Sequence, residues 1–96
     1  MPEKNNKELD SSDTLLEFPC QFSIKAFGIH ENEFDLLVVE IVTNHLNTYL
    51  DYSVTKRESS NGKYLSVSIT ITAESKAQLD DIYNDLSDHE RVTMAL

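Results

Sequence analysis

The sequence predicts an α+β protein with a ferredoxin-like fold, a two-layer sandwich in which two helices cover one face of a four-stranded sheet. Residues 64–73 alternate apolar and hydroxyl-bearing side chains without a break, which is typical of a strand with one buried face. Two further segments, 33–49 and the residues from Ser75 onward, repeat apolar residues at three- and four-residue spacing and indicate amphipathic helices. A chain of 96 residues that is 40% hydrophobic has room for one core.

Composition excludes several classes of function. The formal net charge is -9, from 17 acidic and 8 basic residues, whereas a nucleic-acid binder needs cations to displace phosphate counterions. The same balance disfavours docking on anionic lipid. No apolar run approaches the roughly 20 residues of a membrane span, and the first residues are too polar for a signal peptide. We therefore expect a cytoplasmic protein, and the single cysteine, Cys20, agrees with a reducing compartment.

The chain divides into an arm and one domain. Residues 1–14 are acidic and polar, and we expect them to be disordered because they cannot repay the entropy of ordering. The domain covers residues 15–96 and begins with the apolar cluster 15–19.

The first half of the domain contains a strand and a helix. Residues 21–27 alternate, with Phe22 and Ile24 on the predicted core face. Gly28 is expected to make the following turn with a positive φ, and Asn32 to cap a helix that runs to about Tyr49.

The second half supplies three strands and the other helix. Residues 52–57 are short and polar, as in an edge strand, and Asn61-Gly62 predicts a hairpin to the strand 64–73. Ser75 and Gln78 resemble a capping box at the start of the second helix. In the final strand, 91–96, the alternation predicts that Val92, Met94 and Leu96 point inward.

This order of elements predicts the spatial strand order 4-1-3-2, with both helices on one face if both crossovers are right-handed. We expect the first and third strands to be central and parallel to each other. The hydroxyl face of the strand 64–73 then looks away from both helices.

Several stretches resemble the YbeD-like family of small bacterial proteins, which are sometimes labelled lipoate-regulatory. The stretches are Leu15-Leu-Glu-Phe-Pro19, Phe22-x-x-Lys25-x-x-Gly28, Tyr64-x-Ser-Val-Ser-Ile-Thr-Ile-x-Ala73, then Gln78, Tyr83, Leu86 and Val92-x-Met-x-Leu96. The resemblance covers roughly residues 15–96. It implies a sandwich similar to the ACT regulatory domains and a bacterial cytosolic origin, and it implies no catalytic residues.

Two surfaces are candidate sites. The first is the loop from Gly28 through His30 to Asn32, where a helix N-terminus favours an anionic ligand; in ACT-like domains the matching loop often binds an effector, usually at a dimer interface. The alternative is that Gly28 only makes the turn and His30 is a solvated loop residue without a ligand. The second is the sheet face away from the helices, where a protein partner would meet Lys25, Phe27, Arg57, Ser66, Ser68, Thr70 and Arg91. Its alternative is a solvated or self-associating sheet.

The remaining chemistry points away from catalysis. The three histidines have no metal-ligand spacing, Cys20 has no visible base, and the aspartates at 80, 81, 85 and 88 lack the loop order of a calcium site. We therefore expect no metal and no cofactor. An RNA-recognition module would need an aromatic residue where Ser66 stands, and an acylphosphatase-like enzyme would need an arginine in the loop 28–32.

The sequence thus predicts a small non-enzymatic regulatory or adaptor protein that binds a protein partner through the open sheet face. The alternative is an ACT-like sensor of an amino acid or a lipoate-related molecule, which binds at the first strand-helix loop or at a dimer interface. A homodimer is left open.

Overall fold

The architecture is a four-stranded sheet with two helices, and the computed structural model describes residues 16–47 and 51–96. The elements are β1 (Cys20–Ile29), α1 (Phe34–Thr43), β2 (Tyr52–Glu58), β3 (Tyr64–Ala73), α2 (Lys76–Asp88) and β4 (Met94–Ala95). The strands lie in the order β2-β3-β1-β4, which is the predicted order 4-1-3-2 and confirms the ferredoxin-like α+β class. The predicted arm 1–14, and residue 15 where the domain was expected to begin, lie outside the described residues.

The expected parallel pairing of the first and third strands is wrong. β1 and β3 pair antiparallel over their full length, from Cys20 opposite Ala73 to Ile29 opposite Tyr64. The reason is geometric. The crossover through α1 makes β1 and β2 parallel with one strand between them, and the hairpin makes β3 antiparallel to β2. β3 must therefore run opposite to both of its neighbours.

One core lies between the sheet and the helices. β3 buries alternate residues along its whole length, and α1 and α2 each bury one stripe against them. The fully buried side chains include Ile24, Phe34, Val38, Val42, Val67, Ile69, Ile71, Ile82 and Leu86. The alternating apolar residues that predict β3 therefore form the surface on which both helices pack.

The connection from β1 to α1 differs from the prediction. β1 continues through Gly28 to Ile29, so Gly28 lies inside the strand and does not take the left-handed backbone. Asn32 and Glu33 take it instead, with φ of 49° and 55°. Glu33 occupies the N-cap position without a side-chain capping bond, so Asn32 is not the cap.

Helix α1 is also shorter than the periodicity indicates. It ends at Thr43, whereas the apolar spacing continues to about residue 49. The amides of His45 and Leu46 bond to carbonyls only three residues back, at 3.0 Å each, which tightens the chain out of the α-helix. The Thr43 hydroxyl donates to the Val39 carbonyl at 2.8 Å. The predicted end at Tyr49 lies outside the described residues.

The last strand has the opposite orientation to the one predicted for two of its residues. Met94 pairs with Phe27, and Leu96 exchanges two backbone hydrogen bonds with Lys25, so both side chains lie on the face away from the helices. Val92 is buried as expected. Its amide bonds to the His89 carbonyl in a turn, and regular strand alternation begins only after that turn.

Candidate functional site: the open sheet face

The open face is the side of the sheet opposite the two helices, and the strand registers define its members. They are Gln21, Ser23, Lys25, Phe27 and Ile29 of β1, Tyr64, Ser66, Ser68, Thr70 and Thr72 of β3, Ser53, Thr55 and Arg57 of β2, and Met94 and Leu96 at β4. None of these strand residues is acidic, although the chain carries 17 acidic residues, but Asp51 just before β2 lines a hollow together with Gln21, Ser53 and Thr70 of this face. The part of the face around Lys25 and Arg57 is therefore positive, and Asp51 lies at the opposite end.

One end of the open face is apolar. We call Phe27, Ile29, Tyr64, Met94 and Leu96 the apolar corner. They are neighbours in the sheet, because Ile29 pairs with Tyr64 and Phe27 pairs with Met94. Within the described chain, four of the five large hydrophobic side chains that are exposed belong to this corner, with exposures of 44% to 61%. A contiguous exposed apolar patch of this kind is typical of an interaction surface.

Two cations adjoin the apolar corner. Lys25 lies in β1 between Ser68 and Leu96, and Arg57 lies opposite Ser66. In the part of the chain that the structure describes, no carboxylate forms a salt bridge with either cation. A depression of about 180 Å³ is lined by Phe27, Arg57, Glu58 and Tyr64 among others. This end of the open face therefore presents cationic and apolar side chains next to each other.

The other end of the open face is polar. The Ser23 and Thr70 hydroxyls share a hydrogen bond of 2.7 Å across β1 and β3. Ser66, Ser68 and Thr70 are half-buried between the neighbouring strands. The predicted hydroxyl ladder therefore lies on this face together with Lys25, Phe27 and Arg57.

Arg91, by contrast, does not join the other predicted partner-binding residues. Its guanidinium donates to the carbonyls of Asn32, at 3.1 Å, and of Glu31, and it lies 5.8 Å from the centre of the Phe34 ring. These bonds fix the connection between β1 and α1. The expected position of Arg91 on the open face is wrong because Arg91 precedes β4 and turns toward that loop.

In the predicted ligand-binding loop, backbone groups form hydrogen bonds with other parts of the same chain. Gly28 is buried, and a side chain there would meet the Phe34 ring at 2.5 Å. The His30 amide bonds to the Lys63 carbonyl at 2.8 Å, and its Nδ1 lies 3.6 Å from a Glu58 carboxylate oxygen. The Asn32 carbonyl accepts from Arg91. Gly28 thus lies inside β1, and His30 and Asn32 lie in the connection that follows, where the His30 amide and the Asn32 carbonyl are bonded within the fold.

A cleft of about 260 Å³ beside His30 is bounded by charged residues of β2 and α1. Across it Lys56 donates a hydrogen bond of 3.0 Å to Asp35, and that bond holds the pKa of the Asp35 carboxyl below its usual value of 3.8. The carboxylate therefore belongs to an ion pair between α1 and β2.

Other polar groups link elements of the fold. His45 and Asp85 meet at 2.6 Å between the end of α1 and α2. Tyr83 is half-buried on α2, and burial raises the pKa of its hydroxyl. Cys20 is half-buried and carries a free thiol. Among residues 16–47 and 51–96, no three His, Cys, Asp or Glu side chains are grouped so that they could hold a metal ion.

Comparison with protein families gives a clear assignment. A family model described as "Protein of unknown function (DUF493)" matches residues 13–96. The chain belongs to this family. A UPF0250 protein of Chromobacterium violaceum is 39% identical over 87 residues, which cover 91% of this chain and 98% of the relative. A UPF0250 protein of Nitrosomonas europaea is 41% identical over 86 residues, which cover 90% and 99%. These matches confirm the resemblance to the YbeD-like family.

A solved structure supports the fold. The solution structure of protein HP0495 from H. pylori is similar to this chain with a TM-score of 0.68 and 16% identity, over 100% of this chain and 94% of the other. No helix in the described ranges is both long enough and apolar enough to cross a membrane.

Sequence reasoning missed most of the apolar corner. It places Phe27 and Tyr64 on the open face but Met94 and Leu96 in the core. It assigns Ile29 to the loop, although Ile29 continues the alternation of Lys25 and Phe27 by one further step. Extending the strand by that step would have placed Ile29 beside Tyr64 on the open face.

Proposed function

We propose that this member of the family is a small non-enzymatic regulatory or adaptor protein that binds a protein partner through the open sheet face. One observation carries the proposal: an exposed apolar corner adjoins Lys25 and Arg57, and neither cation forms a salt bridge within the described residues. Buried apolar contacts would supply affinity, and Lys25 and Arg57 would select an acidic partner surface and steer its approach. The single free cysteine agrees with action in the cytoplasm.

The charge distribution favours a different protein over a second copy as the occupant. Two copies that met through the end of the face that carries the apolar corner would bring Lys25 and Arg57 of both copies into one interface. Like charges that lose solvent on association oppose binding. An acidic partner has no such cost.

A small-molecule sensor at the first strand-helix loop has weaker support. The loop carbonyls of Glu31 and Asn32 accept from Arg91, and the acidic residues Glu31 and Glu33 flank Asn32 in the sequence. Acidic neighbours repel an anion at a helix N-terminus.

The test is affinity capture from an extract of the cells that produce the protein, followed by quantitative mass spectrometry. The tagged wild type is compared with the double variant Lys25→Glu/Arg57→Glu, and Lys76→Glu on α2 serves as a control charge reversal away from the face. We expect a partner that the wild type and Lys76→Glu recover equally and that the double variant loses. Equal recovery of every protein by all three baits would overturn the proposal.

A further inference from the structure

The outer edge of β1 is paired along only part of its length. On one side, all ten residues of β1 pair with β3. On the other side, β4 is two residues long and pairs with Ala26 and Phe27, and Leu96 adds two backbone bonds to Lys25. In the described chain, no strand pairs with residues 20–24 on that side. Among the described residues, the first half of β1 therefore has an open edge in line with β4.

The open edge presents backbone hydrogen-bonding groups. The N–H and C=O of Lys25 both point toward β4, since the two bonds with Leu96 measure 3.0 and 2.8 Å. Backbone groups of alternate residues in a strand point to the same side, so the N–H and C=O of Ser23 and Gln21 point to the open edge. No backbone bond within the described residues uses them, and both residues are exposed. Unpaired groups of this kind form a template for another strand.

The residues next to the open edge determine which side chains an added strand would need on each of its two faces. On the open face, a residue opposite Ser23 would lie diagonally next to Lys25, which has no described salt-bridge partner. On the helix side, its neighbours would be Cys20 and Phe22, which are half-buried and pack against the core. Successive residues of a strand point to opposite faces. An added strand would therefore place acidic residues toward Lys25 and apolar residues toward Phe22.

We infer that an extended segment of the protein partner, with alternating acidic and apolar residues, adds to the sheet beside Gln21 and Ser23 in line with β4. The inference rests on the proposed function, because it specifies how the partner of the open face is held. The backbone of the edge supplies hydrogen bonds, and Lys25 and Phe22 supply selectivity. The rest of the partner then lies over the adjoining open face.

The probe is a synthetic peptide of about six residues, the usual length of a strand, in which glutamate alternates with valine. Amide hydrogen exchange of the full chain is measured by NMR with and without this peptide. We expect the Gln21 and Ser23 amides to exchange roughly tenfold more slowly when the peptide is bound, because each gains a hydrogen-bond acceptor.

Two control peptides separate local recognition from general attraction. Replacing glutamate by lysine produces a cationic peptide, which a protein of net charge -9 attracts overall but Lys25 repels locally. Methylating alternate backbone nitrogens of the glutamate peptide removes its strand-pairing donors. We expect neither control to protect the two amides. Equal protection by either control would overturn the inference.

A pair of variants tests the same edge from the protein side. Ser23→Pro removes the N–H that points outward, and proline is tolerated at strand edges where the N–H faces solvent. Ser23→Ala loses the same hydroxyl bond to Thr70 but keeps the N–H. We expect Ser23→Pro to bind the glutamate peptide about tenfold more weakly than Ser23→Ala. Equal affinity of two folded variants would overturn the inference, and the exchange measurement on the wild type decides it if Ser23→Pro does not fold.

The remaining outcomes also decide. If both amides are protected without peptide, the edge is already covered and the inference fails; protection that grows with protein concentration would identify a second copy as the cover. If the peptide gives no protection while Lys25→Glu/Arg57→Glu still loses the captured partner, the proposed function stands and only the binding mode is wrong. If the captured partner is also unaffected, both proposals fail.

Discussion

Gly28 is the residue at which the sheet and the first helix come closest together. A Cβ at this position would lie 2.5 Å from two atoms of the Phe34 ring and 2.6 Å from the Arg91 carbonyl oxygen. Phe34 is among the largest fully buried side chains, so its ring has little room to move. The absence of a side chain, and not backbone freedom, is what glycine supplies here.

Gly28→Ala should therefore destabilise the protein. Overpacking a well-filled core costs about 1–3 kcal/mol, and this clash involves a main-chain carbonyl that cannot rotate away. Urea unfolding gives the change in the free energy of unfolding, and the NMR signals of the Phe34 ring report whether the ring is displaced.

The other described glycine supplies the control. Gly62 has a φ of 75°, and the nearest atom to an added Cβ is 3.8 Å away. Gly62→Ala should cost about 1 kcal/mol through backbone strain and leave the Phe34 signals unchanged. A Gly28→Ala protein as stable as the wild type would contradict the packing argument.

At the scale of elements, α2 begins with the serine cap that its sequence indicates, but the Gln78 side chain bonds to the amide of Glu74 and not to that of Ser75. The Ser75 hydroxyl accepts from the Gln78 amide at 3.1 Å, and the Gln78 side-chain oxygen accepts from the Glu74 amide at 2.7 Å. The Gln78 side-chain nitrogen also donates to the His45 carbonyl at 2.9 Å. Gln78 therefore joins the start of α2 to the turn after α1.

Two substitutions separate these roles. Ser75→Ala should cost about 1 kcal/mol and speed exchange of the Gln78 amide, because only the helix cap is lost. Gln78→Glu keeps an acceptor for the Glu74 amide but cannot donate to His45, so it should cost about 1–2 kcal/mol through the unpaired carbonyl. Urea unfolding and amide exchange measure both effects. A Gln78→Glu protein that unfolds like the wild type would show that the bond to His45 contributes nothing.

The elements also show what could be predicted from sequence and what could not. The strand 64–73 and the start of α2 were predictable because alternation and capping are local patterns. The start of α1 was not, since Glu33 rather than Asn32 is the N-cap and the arginine that holds this loop, Arg91, lies about 60 residues away. A contact between residues so far apart in the chain cannot be predicted from the residues around either one.

The same reason explains the misplaced parts of the candidate site. Alternation across 91–96 gives the relative orientation of Met94 and Leu96 but not the face, which is set by pairing with Phe27 and Lys25. A turn at Val92 interrupts the period before the strand begins. Residues inside long regular strands, such as Lys25 and Ser68, were therefore placed correctly.

At the scale of the whole molecule, four of the five large exposed hydrophobic residues of the described chain are collected at one end of one face. Exposure alone does not distinguish the residues of the apolar corner. Leu36 on α1 is 56% exposed and lies outside the corner, while Met94 is 49% exposed and lies within it. The two side chains differ mainly in their neighbours. They offer a matched pair for asking whether contiguity matters.

Met94→Ser and Leu36→Ser should each change stability by less than about 0.5 kcal/mol, because both side chains are exposed. Met94→Ser should nevertheless lower recovery of the captured partner roughly five- to tenfold, since it removes an apolar contact from a continuous patch. It should also elute earlier from a hydrophobic-interaction column, a measurement that needs no partner. Leu36→Ser should leave recovery unchanged. If the two variants behave alike in both measurements, the apolar corner has no role beyond that of any exposed hydrophobic residue.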